Sequence, residues 1–322
     1  MKSMDERDLI ERLDQAVDAM LSHASSTPAS EEVRELLQVA MDLRDVPSEE
    51  FRENLKADLK EKANVTTLVH WIPKGFHTLT PYLLPRDGAK LIDFLKEAFG
   101  AEEVSRYAAP DGRVMHAEIM VGDSMVEVGE PPEERNPVML HMYVEDVDAV
   151  YRRAIQTGGV SIEAPVDQPY GDREAGVRDP SGNDWYIATH QGPTHVPEGL
   201  RTVTPSLHVR GTDRFIDFLK QSFDAEEFEC HRSPDGTIVH AKIRIGDSIM
   251  EMSEARGSYQ PKPLALHVYV PDVDAVYKRI IEAGGTSLQG EPKDQPYGDR
   301  YAGVTDPFGN QWFIATRISE SR

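Results

Sequence analysis

Carboxylates and imidazoles recur at matching places in strand-like segments of this sequence. Glu127 and Glu251 each follow a Gly-Asp turn, and His116 and His240 each open the strand before that turn. A single carboxylate in an apolar cavity has a raised pKa, so it could act as a base or hold a cationic ligand. Such a Glu could equally be paired to an adjacent His. A histidine could serve as a general base, but for His116 and His240 we favour a hydrogen bond to a neighbouring loop.

Loops and aromatic side chains of the same segments supply further pocket candidates. Arg173 and Arg300 end two identical Tyr-Gly-Asp-Arg runs. A guanidinium there could clamp an anionic ligand, although we favour an internal Asp–Arg pair that orders the loop. Trp185 and Trp312 begin a strand, where they could stack on a flat ligand or, more commonly, pack in a core. The other aromatic candidates are Tyr82, Tyr186 and Phe313.

A long internal duplication surrounds these residues. The stretch from Thr78 to Glu130 aligns without a gap with the stretch from Thr202 to Glu254, and about half of the positions are identical. Later blocks also correspond: LHMYVEDVDAVYRRAIQTGG matches LHVYVPDVDAVYKRIIEAGG, and DQPYGDREAGVRDPSGNDWYIAT matches DQPYGDRYAGVTDPFGNQWFIAT. A match this long indicates two copies of one domain.

The residue pattern of each copy predicts two successive units, and each unit has the order strand, helix, strand, strand, strand. In the first copy, alternating apolar residues predict strands, and apolar stripes predict helices over 89–99 and 147–157. Asp146 and Asp272 are expected to cap helices. Residues 1–65 lie outside the duplication and carry three helical stripes. We favour a solvated helical extension over a docking or dimerisation element, and predict domains at 1–65, 76–190 and 200–318.

The composition excludes several classes of partner. The chain has 322 residues and a formal net charge of −21, so nucleic acid and anionic membranes are not expected to bind it. Cys230 is the single cysteine, which excludes an intrachain disulfide. The first residues lack an apolar signal region, and no apolar run is long enough to span a bilayer. These features predict a cytoplasmic protein.

The motifs resemble those of the vicinal oxygen chelate superfamily, which includes glyoxalases, extradiol dioxygenases and bleomycin-binding proteins. The TPYL opening, the IDFL helix, the HAEI strand, the PYGDR loop and the DPSGNDW end carry the resemblance, and the PhnB-like subgroup is the most similar. The resemblance implies an α+β fold of two tandem domains. Each domain would hold paired βαβββ units that form a cup-shaped mixed sheet with outer helices.

Metal-dependent members of this superfamily carry four ligands, usually His or Gln and Glu, on the inner face of the cup. Alignment by helices and turns places these positions at Thr80, Glu127, Met139 and Tyr186 in the first copy and at Thr204, Glu251, Ala265 and Phe313 in the second. Only the Glu remains in each set, and Met, Ala and Phe do not bind hard divalent ions. The resemblance therefore favours no cofactor.

A displaced metal site is the alternative. Side chains two places apart on a strand face the same side. His141 and His267 lie two places after Met139 and Ala265, and His208 lies four after Thr204. A divalent metal bound by His208, Glu251 and His267 within the second domain is therefore one hypothesis. A polar pocket histidine bonded to its carboxylate neighbour is the other, and it is the one we favour.

These considerations lead to one functional expectation. We expect a metal-independent protein that holds a hydrophobic or aromatic small molecule in its cups, because such binding needs cavity shape and a few polar groups. A metal-dependent lyase, isomerase or dioxygenase is the alternative. The two domains are expected to pack as an internal pseudo-dimer, and the N-terminal helices could join two chains.

Overall fold

A computed structural model describes residues 71–131, 137–257 and 259–319. The predicted helical segment 1–65 lies outside these residues. The first copy forms β1 (Leu79–Leu83), α1 (Gly88–Phe99), β2 (Glu102–Ala108), β3 (Val114–Val121), β4 (Ser124–Val128), β5 (Met139–Tyr143), α2 (Val147–Gln156), β6 (Val160–Asp167), β7 (Asp172–Arg178) and β8 (Asp184–His190). This order is the predicted βαβββ unit, present twice.

The second copy repeats the order with one local change. It forms β9 (Val203–Val209), α3 (Thr212–Phe223), β10 (Glu226–Arg232), β11 (Ile238–Ile245), β12 (Ser248–Glu254), β13 (Ala265–Tyr269), α4 (Val273–Glu282), β14 (Thr286–Ser287), β15 (Lys293–Asp294), β16 (Asp299–Thr305) and β17 (Gln311–Arg317). One extra residue near Gly290 accompanies the division of the strand that corresponds to β6 into β14 and β15.

Two mixed sheets contain these strands, and each sheet draws on both copies. The first sheet runs β14-β16-β17-β13-β1-β4-β3-β2, with β15 paired to β16, and the second runs β10-β11-β12-β9-β5-β8-β7-β6. The first βαβββ unit of one copy therefore shares a sheet with the second unit of the other copy. The joints are antiparallel pairs, in which Thr80 faces His267 across β1 and β13, and Thr204 faces His141 across β9 and β5.

The α+β class and the tandem paired units are as predicted, but the two units of one sheet do not come from the same copy. The strands at the joint, LTPYL in β1 and VTPSL in β9, are nearly alike. Since β5 and β13 could pair with either strand by pattern alone, the residue sequence does not distinguish pairing within a copy from pairing across copies.

Helix caps and a continuous apolar core stabilise the helices and the two sheets. The Asp146 and Asp272 side chains accept hydrogen bonds from Ala149 and Ala275 N–H, as the predicted caps require. Alternate residues of the strands, such as Val126 and Val128 of β4, enter the hydrophobic core. The residue between them therefore faces the opposite side of its sheet.

Candidate functional site

A buried carboxylate–imidazole pair lies on that opposite face of each sheet. In the first sheet, Glu127 of β4 is 1% exposed and His267 of β13 is 9% exposed. His267 Nδ1 lies 2.8 Å from Glu127 Oε1. The two residues come from different copies, and β1 between them completes the register, with Tyr82 beside Glu127 and Thr80 beside His267.

Aromatic rings surround this pair. Tyr82 and Phe313 make an edge contact with ring centroids 5.3 Å apart, and Tyr301 stacks parallel to Phe313 at 6.3 Å. His267 stacks on Tyr269 at 4.6 Å. Burial, with a smaller contribution from the Glu127 charge, raises the pKa of Tyr82, so the phenol stays neutral. We call Tyr82, Glu127, His267, Tyr301 and Phe313 site 1.

The equivalent place in the second sheet is more polar. His141 Nδ1 lies 2.8 Å from Glu251 Oε2, and His141 Nε2 lies 3.4 Å from Glu174 Oε2. His240 Nε2 lies 3.7 Å from the other oxygen of Glu251. We call His141, Glu174, Tyr186, His240 and Glu251 site 2. The partnership of Glu with an adjacent His, left open by the sequence, is present in both sites.

The charges of site 2 fix the protonation of His141. Burial opposes a positive imidazole, but the Glu251 and Glu174 carboxylates outweigh it and raise the pKa of His141 to about 10. Burial also opposes ionisation of Glu251, yet His141 and His240 hold the pKa of Glu251 below its usual range. Site 2 therefore contains an imidazolium between two carboxylates at neutral pH.

Four substitutions between the copies distinguish the two sites. Tyr301, Tyr82 and Phe313 of site 1 correspond to Glu174, Ser206 and Tyr186. The fourth is Gly129, which corresponds to Ser253. A Cβ at Gly129 would lie 2.8 Å from the Tyr82 hydroxyl, so glycine makes room for the ring. In the second copy, Ser253 occupies that space.

The hypothesis of a metal held by His208, Glu251 and His267 is wrong. Glu251 lies in the second sheet and His267 in the first, because the copies exchange their units. His208 Nδ1 is instead hydrogen-bonded to Ser253 Oγ at 2.7 Å, and burial lowers the pKa of His208.

One of the four ligand positions that the alignment assigned to each copy is also wrong. The residue of the fifth strand that faces the Glu is His141 or His267, two places after the aligned Met139 and Ala265. The facing sets are then Thr80, Glu127, His267 and Phe313 in site 1, and Thr204, Glu251, His141 and Tyr186 in site 2. Within the described residues, no three His, Cys, Asp or Glu side chains are grouped to hold a metal. With two suitable donors at each set, these residues do not fit the superfamily's metal.

Other predicted pocket residues serve the structure. Trp185 and Trp312 are fully buried in the core, and each indole N–H donates to Asp179 or Asp306. They do not line either site. Arg173 binds Asp148 and Asp167, and Arg300 binds Asp274 and Asp294, as the favoured loop-ordering role requires.

His116 and His240 each contact a residue of site 1 or site 2, whereas the sequence favoured a hydrogen bond to a neighbouring loop. His116 Nδ1 is 3.4 Å from the Tyr82 hydroxyl. Burial disfavours its charged form, but Glu118 and Glu127 outweigh this effect and raise the pKa of His116. His240 is the Glu251 partner described above.

Sequence reasoning missed Glu174 and Tyr301. A signal for them exists, because they are the position where the otherwise identical run DQPYGDR-x-AGV differs between the copies. Glu174 in β7 lies beside His141 of site 2, and Tyr301 in β16 lies beside His267 of site 1.

None of the helices in the described part of the chain is long and apolar enough to cross a membrane. The two mixed sheets of paired βαβββ units, each with a buried Glu–His pair, define the glyoxalase-like class of fold. The family profile described as "Glyoxalase/Bleomycin resistance protein/Dioxygenase superfamily" matches residues 76–187 and 201–314. The chain therefore belongs to this superfamily, as its motifs predicted.

Individual relatives agree with this assignment. An uncharacterized protein of Mycobacterium tuberculosis is 34% identical over 141 residues, which cover 40% of this chain and 82% of that protein. A candidate glyoxylase of Mycobacterium bovis, CFP32, is 27% identical over 195 residues, covering 55% of this chain and 69% of that protein. The crystal structure of glyoxalase I from Zea mays has a TM-score of 0.56 at 18% identity, and covers 74% of this chain and 92% of that chain. The latter likeness concerns the fold.

Proposed function

We propose that this protein binds a hydrophobic or aromatic small molecule in site 1 without a metal ion, in the manner of a PhnB-like or bleomycin-binding member of the superfamily. The observation that carries the proposal is the set of three rings, Tyr82, Tyr301 and Phe313, around two buried polar atoms that lack partners. Binding sites for small molecules are mostly apolar and contain a few convergent polar groups.

The two polar atoms are His267 Nε2 and Thr80 Oγ1. Both are buried, and neither has a hydrogen-bond partner among the described residues. A buried polar atom without a partner costs about 1–3 kcal/mol, so a ligand group that bonds to it would recover that energy. Because Thr80 and His267 face each other across β1 and β13, one polar group of a ligand could meet both.

Site 2 is expected to bind such a ligand more weakly. Glu174 replaces the ring of Tyr301, and Ser206 replaces that of Tyr82, so fewer aromatic faces are available for stacking. The carboxylates and the imidazolium of site 2 also bind each other, and a ligand would have to compete with these ion pairs.

A thermal-shift screen of aromatic antibiotics and aromatic metabolites, with EDTA present throughout, tests this function. Hits are then measured by calorimetry with the Tyr82→Ala and Phe313→Ala variants. We expect about tenfold weaker binding for each variant, the equivalent of about 1.4 kcal/mol of lost ring contact. Ser206→Ala, at the place equivalent to Tyr82, is the matched control and should leave the affinity unchanged. Binding that needs a divalent ion, or that neither ring variant weakens, would refute the proposal.

A metal-dependent lyase or dioxygenase is the second candidate. CFP32 carries a glyoxylase name, and site 2 connects two histidines and two glutamates through three contacts: His141 to Glu174 at 3.4 Å, His141 to Glu251 at 2.8 Å, and His240 to Glu251 at 3.7 Å. Metal ligation requires a neutral imidazole. The metal would therefore have to displace a proton from His141, whose pKa is raised to about 10. Because removing this proton costs free energy, we favour the metal-free function.

We propose a cytoplasmic location and an internal pseudo-dimer of the two copies. For residues 1–65, a role in joining two chains is the alternative to a solvated extension. The net charge of −21 supports a small-molecule ligand over nucleic acid or an anionic membrane.

A further inference from the structure

A cavity of about 300 Å³ lies apart from sites 1 and 2, where the end of β9 meets the start of α3. Its volume is at the lower end of the range of about 300–1,000 Å³ that is usual for ligand pockets. Residues of β9, α3, the segment before β13 and the turn between β16 and β17 line it. The charged and the apolar side chains of the lining include Arg210, Arg214, Pro261, Pro263, Pro307 and Phe308.

The two arginines of this cavity have no acidic partner within the described residues, unlike most arginines of this acidic chain. Arg106, Arg173 and Arg300, for example, each bind a neighbouring carboxylate. Arg210 and Arg214 form no such pair. An unpaired guanidinium in a chain with net charge −21 is free to bind an anion.

Two carboxylates close to the start of α3 have other partners. Asp213 binds Arg232 at 2.6 Å. Glu254 accepts hydrogen bonds from Gly211 N–H at 2.9 Å and from Thr212 N–H at 2.8 Å, and so takes the place of a helix cap. Neither carboxylate is therefore an ion-pair partner of Arg210 or Arg214 among the described residues.

The backbone holds the Arg214 side chain close to the cavity. Gly211 has a φ of 80°, and a Cβ built there would lie 2.8 Å from one terminal nitrogen of Arg214. Glycine at this position lets the guanidinium lie against the backbone at the start of α3. A larger residue at this position would displace the Arg214 guanidinium from the place it occupies beside the cavity.

The opposite part of the cavity is apolar and rigid. Three prolines line it, and Phe308 is anchored by edge contacts with Phe215 at 5.1 Å and Phe218 at 6.2 Å. The first copy has Ser181 at the place of Phe308 and Lys90 at the place of Arg214. The aromatic face and the pair of arginines occur together only in the second copy.

We propose that this cavity is a second binding site, for a small organic anion that carries an apolar or aromatic body and a carboxylate or phosphate group. The anionic group binds between Arg210 and Arg214, and the body lies against Phe308 and the prolines. The site is independent of sites 1 and 2, and it does not depend on the function proposed for them.

Ligand-detected NMR titrations of the full chain with phenyl phosphate and with benzoate test the site. Benzyl alcohol serves as the uncharged probe, and inorganic phosphate as the probe without an apolar body. We expect saturable binding of both aromatic anions, weakened about tenfold by Arg210→Gln or Arg214→Gln, the loss of one charge-assisted hydrogen bond. Phe308→Ser, which copies the first repeat, should also weaken it.

A control variant separates this site from the first copy. Lys90→Gln makes the same change of charge at the equivalent place, so it should not affect phenyl phosphate binding. The proposal is overturned if neither aromatic anion binds, if Arg214→Gln weakens benzyl alcohol binding as much as benzoate binding, if inorganic phosphate binds as well as phenyl phosphate, or if Lys90→Gln weakens binding as much as Arg214→Gln. Arg210 and Arg214 are exposed, so their variants are expected to fold.

Discussion

His141 and His267 occupy equivalent places in the duplication but meet different partners. Each faces a buried glutamate, and His141 also meets the Glu174 carboxylate where His267 meets the Tyr301 ring. The difference between Glu174 in β7 and Tyr301 in β16 therefore turns one pair into a charged trio. Together with Ser206 in place of Tyr82, it makes site 2 less suited to an aromatic ligand than site 1.

The raised pKa of His141 has a consequence for stability. An unfolded histidine titrates near about pH 6.5, and the folded value is about 10. The folded state binds the proton more tightly, so the stabilisation is fully present below about pH 6.5 and is lost as the pH rises toward 10. We expect the free energy of unfolding, measured by urea denaturation, to fall across this window.

The Glu174→Gln variant should reduce that slope, because it removes one of the two carboxylates that favour the proton. NMR titration of the His141 imidazole should show a lower pKa in the variant. Glu97→Gln, at an exposed position of α1 outside both sites, is the control and should retain the wild-type slope. An imidazole of His141 that titrates near its ordinary value in the wild-type protein would contradict this account.

The Tyr82 ring and Gly129 depend on each other. Gly129→Ser should destabilise the protein by about 1–3 kcal/mol, because the new Cβ meets the Tyr82 hydroxyl. Adding Tyr82→Ser recreates the Ser206 and Ser253 pair of the second copy and removes that contact, so the two changes together should cost less than the sum of their separate costs. A double-mutant cycle by chemical denaturation measures this coupling, and simple additivity of the two changes would contradict it.

At the scale of elements, α3 differs from its neighbours in how it begins. Helices α1, α2 and α4 begin at an Asp whose side chain caps the first turn, whereas α3 begins at Gly211 without a side-chain cap. The Glu254 carboxylate binds the free N–H groups of α3 instead. The end of β12 is thereby connected to the helix beside the arginine cavity.

Glu254→Ala should therefore destabilise the protein by about 1 kcal/mol, the usual cost of losing a helix cap. The pKa of Glu254 is lowered despite its partial burial, because the N–H groups of Thr212 and Gly211 favour the ionised form. The stabilisation by Glu254 is thus present above its unfolded pKa and is lost as the pH falls. Glu282→Ala on the exposed face of α4 is the control in thermal denaturation, and an equal loss in both variants would contradict this role.

Sequence patterns predicted these elements well because each pattern is local. Alternation gives the strands, the Asp caps give the starts of α2 and α4, and Gly158-Gly159 follows the end of α2. The patterns did not predict which strands pair across the joint, since β1 and β9 present nearly the same residues. For that reason the sequence groups Glu251 with His267, whereas the structure places Glu251 beside His141 and His267 beside Glu127.

At the scale of the whole molecule, the two copies are interlocked and neither contains a complete site. Site 1 takes Glu127 from the first copy and His267 from the second, and site 2 does the reverse. Two copies of a single-domain protein could form the same two sheets as a dimer that exchanges its βαβββ units. The duplication places both copies in one chain.

This arrangement predicts how the first copy behaves alone. A protein of residues 71–198 would leave β1 and β5 without their partners β13 and β9. We expect it to form a homodimer in which β1 of one chain pairs with β5 of the other, or to aggregate through these open edges. Light scattering after size-exclusion chromatography measures the state, with a chain of residues 71–322 as the monomeric control. A stable, folded monomer of 71–198 would contradict the interlocked topology.

Elemental analysis distinguishes Glu–His pairs that serve a binding protein from Glu–His pairs that form a metal centre. The full chain is purified without chelator or affinity tag, soaked in nickel, zinc, manganese or iron(II), desalted and measured by plasma mass spectrometry. We expect no stoichiometric metal. Retention of about one metal per chain, lost in Glu251→Gln or His141→Gln but kept in Ser206→Ala, would contradict it and would place a metal-dependent reaction in site 2.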